Sequence, residues 1–319
     1  CAPSNIFAPH QILFSQLATT TTINRLIAFK QAISHFIPPH DCSASLHVGY
    51  MLSTVKAISL LHANNITISS LDTPDVRSIP SFTVELIKNT IAEMSFKKIK
   101  TTIGWQFASV TNMELFRQKV IDGMKGINSQ DKVHLIRTSV SSFRHDRVGK
   151  ELLRMITAKQ THLPTIGLAL EIDARRQTPE EYFEFVYKLN QKNPTIPIYF
   201  DLDIGHIAEA RLRHRHKNIE EPEIIIEKLL SNKKYCELIG MISLNQYDHA
   251  KDETHISLLK GSIDYIHIMK LLGQAGRSGN LPFDPIVMAE FSPFAYDEMI
   301  SLEGIKYFYQ LKKAYCDNN

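Results

Sequence analysis

Glu171, Asp203 and Glu290 each close a different short apolar run: TIGLALEID (165–173), IPIYFDLDIGH (196–206) and IVMAEFSPF (286–294). A carboxylate rarely ends such a run unless it is paired, bound to a metal or engaged in chemistry. Three of them converging from three strand ends make a hard-cation site or an acid/base site. Side chains two apart on a strand share a face, so Asp173 follows Glu171 and Asp201 precedes Asp203 on the same side. Asp201 then lies one layer deeper. Its expected partner is Arg137 of KVHLIRTSV (132–140), through a two-pronged ion pair, and Arg137 is also a candidate substrate contact.

These runs belong to a longer alternation. From residue 43 onward, candidate strands at 43–50, 66–72, 100–107, 132–140, 165–173, 196–206, 240–247 and 286–294 alternate with amphipathic helical patterns, among them 53–64, 113–127, 179–192, 221–234, 262–274 and 302–315. The helix at 179–192 opens on a cap at Thr178, Pro179 in its first turn and an acidic Glu181. Eight strand–helix units point to a parallel sheet with helices outside, and their total length suits an α/β protein of the (β/α)8 TIM barrel type over residues 43–319. An open doubly wound sheet would carry a Gly-rich phosphate loop after an early strand, and the chain has none. Residues 1–42 form an N-terminal extension with one helical stretch, 22–36, ended by Pro38 and Pro39. A lid, a homodimer contact and a cap on the bottom of the barrel are all open to it.

The chain has 319 residues, 44% of them hydrophobic, and its formal net charge of +3 neither proposes nor excludes a nucleic-acid role; no nucleic-acid partner is expected. The basic run at 211–217 reads as a solvated helix start or loop. Four cysteines, Cys1, Cys42, Cys236 and Cys316, are too widely spaced for a cysteine zinc site or a disulfide framework. No apolar stretch approaches a membrane span. Cys1 opens the chain without a Met, which reads as a missing start in preference to the lipidated first residue of a processed lipoprotein. A cytoplasmic location is expected.

Four segments carry a resemblance: LALEID (168–173), LDIGH (202–206), ETHISLLKGSID (253–264) and IVMAEF (286–291). In this order and spacing the chain resembles the xylose-isomerase-like TIM barrels over residues 43–319. That group includes sugar (phosphate) isomerases and epimerases, inosose and dehydroshikimate dehydratases, and zinc-dependent abasic-site endonucleases. The resemblance implies a divalent cation held by Glu171, Asp203 and Glu290. The fourth position, a His on the seventh strand, is Ser243 in this chain. Asn245 or Gln246 is open to supply a carbonyl oxygen there, as are water, His249 or His255 from the following loop, or metal binding is lost. Three carboxylates without an imidazole favour Mn²⁺ or Mg²⁺ over Zn²⁺.

A cation bridging a carbonyl and its neighbouring hydroxyl acidifies the carbon between them by favouring the enediolate. Glu171 and Glu290 are then the groups that remove and return the proton. The expected activity is isomerisation or epimerisation of a small sugar or polyol, or dehydration where a β-hydroxyl can leave. His206 and Asn245, with His47 on the first strand and Trp105 at the end of the third, are further candidate substrate contacts. An abasic-site endonuclease needs histidines at the ends of strands three and four, which read Gly-Trp-Gln-Phe (104–107) and Thr-Ser-Val-Ser (138–141). The remaining alternative is a non-catalytic binding barrel with a degenerate metal site.

Overall fold

The computed structural model describes residues 12–17, 24, 27–28, 31, 42–47, 67–73, 102–105, 133–143, 146–159, 165–214, 220–281, 286–289, 295–299 and 301–316. Its parallel strands are β1 (Ile12–Leu17), β2 (Cys42–His47), β3 (Thr67–Thr73), β4 (Thr102–Trp105), β5 (Val133–Ser139), β6 (Thr165–Glu171), β7 (Ile198–Asp203), β8 (Ile239–Leu244) and β11 (Ile286–Ala289). A separate antiparallel hairpin, β9 (Gln246–Asp248) and β10 (Glu253–Ile256), follows β8 directly. Each of β1 to β7 pairs with the next in the chain, and β11 closes the ring between β8 and β1.

The α/β character and the parallel sheet agree with the sequence pattern, but the count of eight does not. Among the described residues nine strands form the ring, because Ile12–Leu17 inserts between β2 and β11, with Ile12 opposite both Cys42 and Val287. The sheet therefore begins inside the segment read as an extension. A three-residue apolar run followed by polar residues has no period of its own, so it cannot be told from the lead-in to the helical stretch behind it. Asn24, Ile27, Ala28 and Gln31 in that stretch are helical.

The described helices are α1 (Asp146–Lys159), α2 (Pro179–Lys192), α3 (Ile204–Arg213), α4 (Pro222–Ser231), α5 (Lys233–Cys236), α6 (Tyr265–Arg277), α7 (Tyr296–Met299) and α8 (Leu302–Cys316). α2 starts where the sequence places it. The Thr178 hydroxyl accepts from the Glu181 N–H and the Glu181 carboxylate accepts from the Thr178 N–H, a complete capping box. Its buried stripe of Pro179, Tyr182, Phe183 and Val186 lies at helical spacing. Tyr182 and Phe183 meet Phe200 of β7 at centroid distances of 5.4 Å each. Burying a ring of this size stabilises by about 1.5–3 kcal/mol, so this contact fixes α2 against the strand that carries Asp201 and Asp203. The strands beneath are apolar on both faces, β8 being buried along its whole length, as strands covered by helices must be. Among the described residues no helix is long and apolar enough to cross a membrane.

Candidate metal centre

β6 and β7 are in register with Glu171 opposite Asp201, and β7 meets β8 with Asp203 opposite Ser243. The acidic side chains are thus gathered at the C-terminal ends of neighbouring strands, the end at which parallel βα barrels build their sites. The Tyr182 hydroxyl sits between the two strands just there, 2.6 Å from the Leu170 carbonyl and 2.9 Å from that of Asp201.

Asp201 is wholly buried. The Arg137 Nε donates to Asp201 Oδ2, and the Ser243 hydroxyl donates to its Oδ1 at 3.2 Å. The same guanidinium reaches Glu171 through Nη2, 3.6 Å from Oε1. Burial pushes the Asp201 carboxyl up, to about 7, against the opposing pull of Arg137, while Glu171 and Asp203 add to the rise. Arg137 therefore charge-balances two acids from beneath, and its guanidinium faces Asp201 and Glu171 where the sequence also suggested a substrate contact.

Asp203 ends β7 and begins α3 with no loop between. Its Oδ1 accepts from the His206 N–H at 2.8 Å, which makes it the N-cap of the helix. Gly205 permits this junction: a Cβ there would lie 2.0 Å from the Asn245 carbonyl oxygen. The cap brings the His206 ring over the strand ends, with Nδ1 2.9 Å from Glu171 Oε1 and 3.5 Å from Asp203 Oδ2. Asn245, also buried, places Nδ2 3.3 Å from both Asp203 oxygens and from His255 Nε2, and its Oδ1 accepts from the His255 N–H at 2.8 Å. An amide nitrogen only donates, so His255 Nε2 is the acceptor and Nδ1–H donates to Thr254 Oγ1 at 2.9 Å. His255 has φ 59°, in the left-handed region, at a bulge in β10. Its ring stands edge-on to that of His206, 5.7 Å between centroids.

A cavity of about 610 Å³ opens over this group, bordered by Glu171, His206, Glu209, Arg213, Thr254 and His255 among others. One donor atom each from Glu171, Asp203 and His206 lie within 4.8 Å of one another. Adjacent ligands bonded to one ion at 2.0–2.1 Å stand about 3 Å apart, which the Nδ1 separations match. The residues present thus fit a divalent cation.

The structure corrects three expectations. Gln246 is turned away from the cluster. Its Nε2 lies 3.1 Å from the Ile263 carbonyl and its Oε1 accepts from the N–H groups of Tyr247 and Ile263, so both ends of the amide hold the loop and neither is offered as a metal ligand. His206, read as a substrate or supporting contact, stands among the donors instead. Its presence removes the reason for preferring Mn²⁺ or Mg²⁺ to Zn²⁺, since a mixed carboxylate–imidazole set suits all three. Asn245 binds Asp203 and His255, and so positions them.

His255 reaches the cavity, whereas His249 packs edge-on to Tyr247 at 5.3 Å. Asp173 borders the cavity and lies 3.7 Å from Arg176. Glu290 lies outside the described residues, as do the side chains of His47 and Trp105. Glu209 and Arg213 are cavity residues that the strand-end pattern does not flag. Their spacing from His206, three and seven residues along one helix, is the available signal.

No protein-family model and no curated protein matches the chain. Among solved structures it is similar to a xylose isomerase-like TIM barrel protein from Mycobacterium smegmatis, determined in complex with magnesium. The two are 12% identical, the match covers 98% of this chain and 100% of that one, and the TM-score is 0.49. A likeness of that strength carries no argument about what this chain binds.

Proposed function

We propose that the protein is a metal-assisted isomerase or epimerase of a small sugar or polyol. The observation that carries the reading is the convergence of Glu171, Asp203 and His206 within 4.8 Å, with Glu171 and His206 bordering an open cavity. When bound, the cation would polarise a carbonyl and its adjacent hydroxyl and so acidify the carbon between them. Glu171, whose Oε1 faces His206 and Arg137, is the group that takes the proton from that carbon. Glu290, which follows β11 directly in the chain, is the partner that returns it. His255 borders the same cavity, its ring held between Asn245 and Thr254. With a leaving β-hydroxyl the same proton removal gives dehydration.

Solvent exchange tests this reading. Incubated in D₂O with Mn²⁺ and a panel of ketoses, aldoses and inososes, the wild type should incorporate deuterium at the carbon next to the carbonyl of at least one. Glu171→Gln should abolish it. Absence of exchange across the panel, with bound metal verified, contradicts the enzymatic reading.

A second reading has one observation in its favour: Arg137 already balances Asp201 and Glu171 without a cation. On that reading the barrel binds a polyol without turnover, and the wild type gains thermal stability from the polyol with or without Mn²⁺.

A further inference from the structure

His206 has two ring nitrogens, and they face different carboxylates. Nδ1 faces Glu171 and Asp203, the candidate ligands. Nε2 faces Glu209, 4.0 Å from Oε2. Glu209 is 8% exposed, a costly place for a bare carboxylate. Its other oxygen, Oε1, accepts from the Arg213 Nε at 2.6 Å, one helical turn further along α3. The carboxylate is thus clamped by Arg213 on one side while its second oxygen is directed at the imidazole.

We propose that Glu209 is a positioning residue for His206, accepting the Nε2–H so that the Nδ1 lone pair points to the cation, with Arg213 holding Glu209 in place. This rests on the metal site proposed above. A histidine that binds a metal through one nitrogen carries its proton on the other, and the acceptor of that proton fixes the ring orientation and raises its basicity. The Nδ1 approach to Glu171 is 2.9 Å and the Nε2 approach to Glu209 is 4.0 Å, so Glu209 stands just outside hydrogen-bond distance of the ring. With a cation on Nδ1, the ring proton would sit on Nε2, and a small shift of the Glu209 carboxylate would close the contact. Three functions then sit on one face of one helix: Asp203 caps it, His206 binds the ion and Glu209 sets the ring.

The test is a Mn²⁺ titration of the full chain as wild type, Glu209→Gln, Glu209→Ala and, as a distant control, Glu184→Gln. It is joined by ¹⁵N NMR of the His206 ring, assigned by its loss in His206→Ala, with and without Zn²⁺. Glu209→Ala should weaken Mn²⁺ binding about 10- to 100-fold, with Glu209→Gln between it and the wild type. With Zn²⁺ bound, the ring should carry its proton on Nε2 and leave Nδ1 unprotonated. Should Glu209→Ala not fold, Glu209→Gln carries the comparison and must bind more weakly than the Glu184→Gln control. Equal Mn²⁺ affinity in the wild type and both Glu209 variants overturns the role of Glu209 while leaving the metal site intact. A wild type that binds no Mn²⁺ overturns the metal site itself, and the positioning role with it.

Discussion

Asp203 and His206 are joined by one hydrogen bond, from the His206 N–H to Asp203 Oδ1 at 2.8 Å, that serves the fold and the site together. It caps α3, and because no loop separates β7 from α3 it also sets where the imidazole stands relative to the strand ends. Serine caps a helix as well as aspartate does but offers no anionic ligand. Asp203→Ser should therefore keep most of the stability and lose Mn²⁺ binding. Asp203→Ala should lose both, with a further destabilisation of about 1 kcal/mol in chemical denaturation.

Arg137 sits beneath two acids, and its removal leaves the buried Asp201 carboxyl without its ion-pair partner. Arg137→Met should cost about 3–5 kcal/mol in urea unfolding, the penalty typical of breaking a buried pair from one side. Adding Asp201→Leu should return a large part of it. A double variant no more stable than Arg137→Met would show that Glu171, and not Asp201, is the partner that matters.

His255 holds a left-handed backbone at φ 59° while presenting its ring to the cavity. Asparagine tolerates that conformation and a β-branched residue does not. His255→Asn should unfold close to the wild type, and His255→Val should be less stable by about 1–2 kcal/mol. Both should impair turnover, which separates the ring's contribution from the backbone's.

Glu184 on α2 accepts from Lys234 at 2.7 Å and from the Tyr235 hydroxyl at 2.9 Å, joining α2 to α5. The hydrogen bond from Lys234 leads in holding its carboxyl down to about 2, followed by those from Tyr235 and Lys188. A depressed carboxyl contributes stability that is present above its unfolded value, near 4.5, and is lost as pH falls through the folded value. Glu184→Gln should therefore be slightly less stable than the wild type at pH 7, with the difference closing between about pH 4.5 and pH 2. A difference constant over that window would mean the side chain acts by packing alone.

Much of this site is legible in the amino-acid sequence. Glu171, Asp203 and the Arg137–Asp201 pair stand out because a charge inside an apolar strand needs a partner. The place of His206 is hidden by continuity: IPIYFDLDIGH runs without a turn residue, so the change from strand to helix at Asp203 leaves no mark in the apolar pattern. Gln246, weighed as a ligand only through the resemblance, lies beyond the strand. β8 ends at Leu244 and the chain then enters a hairpin, so two-residue alternation no longer predicts which way a side chain points. The left-handed turn at His255 has no glycine to announce it. Ile12–Leu17 needs its neighbours: only pairing with β2 and β11 makes so short a run a strand.

The central claim is that Glu171, Asp203 and His206 share one divalent cation. Its most direct measurement is the electron paramagnetic resonance of Mn²⁺ titrated into the wild type, Glu171→Gln and His206→Ala after chelator treatment. One tightly held ion per chain in the wild type, with loss in Glu171→Gln and a changed or absent signal in His206→Ala, is the predicted result. Retention of the wild-type signal in both variants, or no bound Mn²⁺ in the wild type, would contradict it.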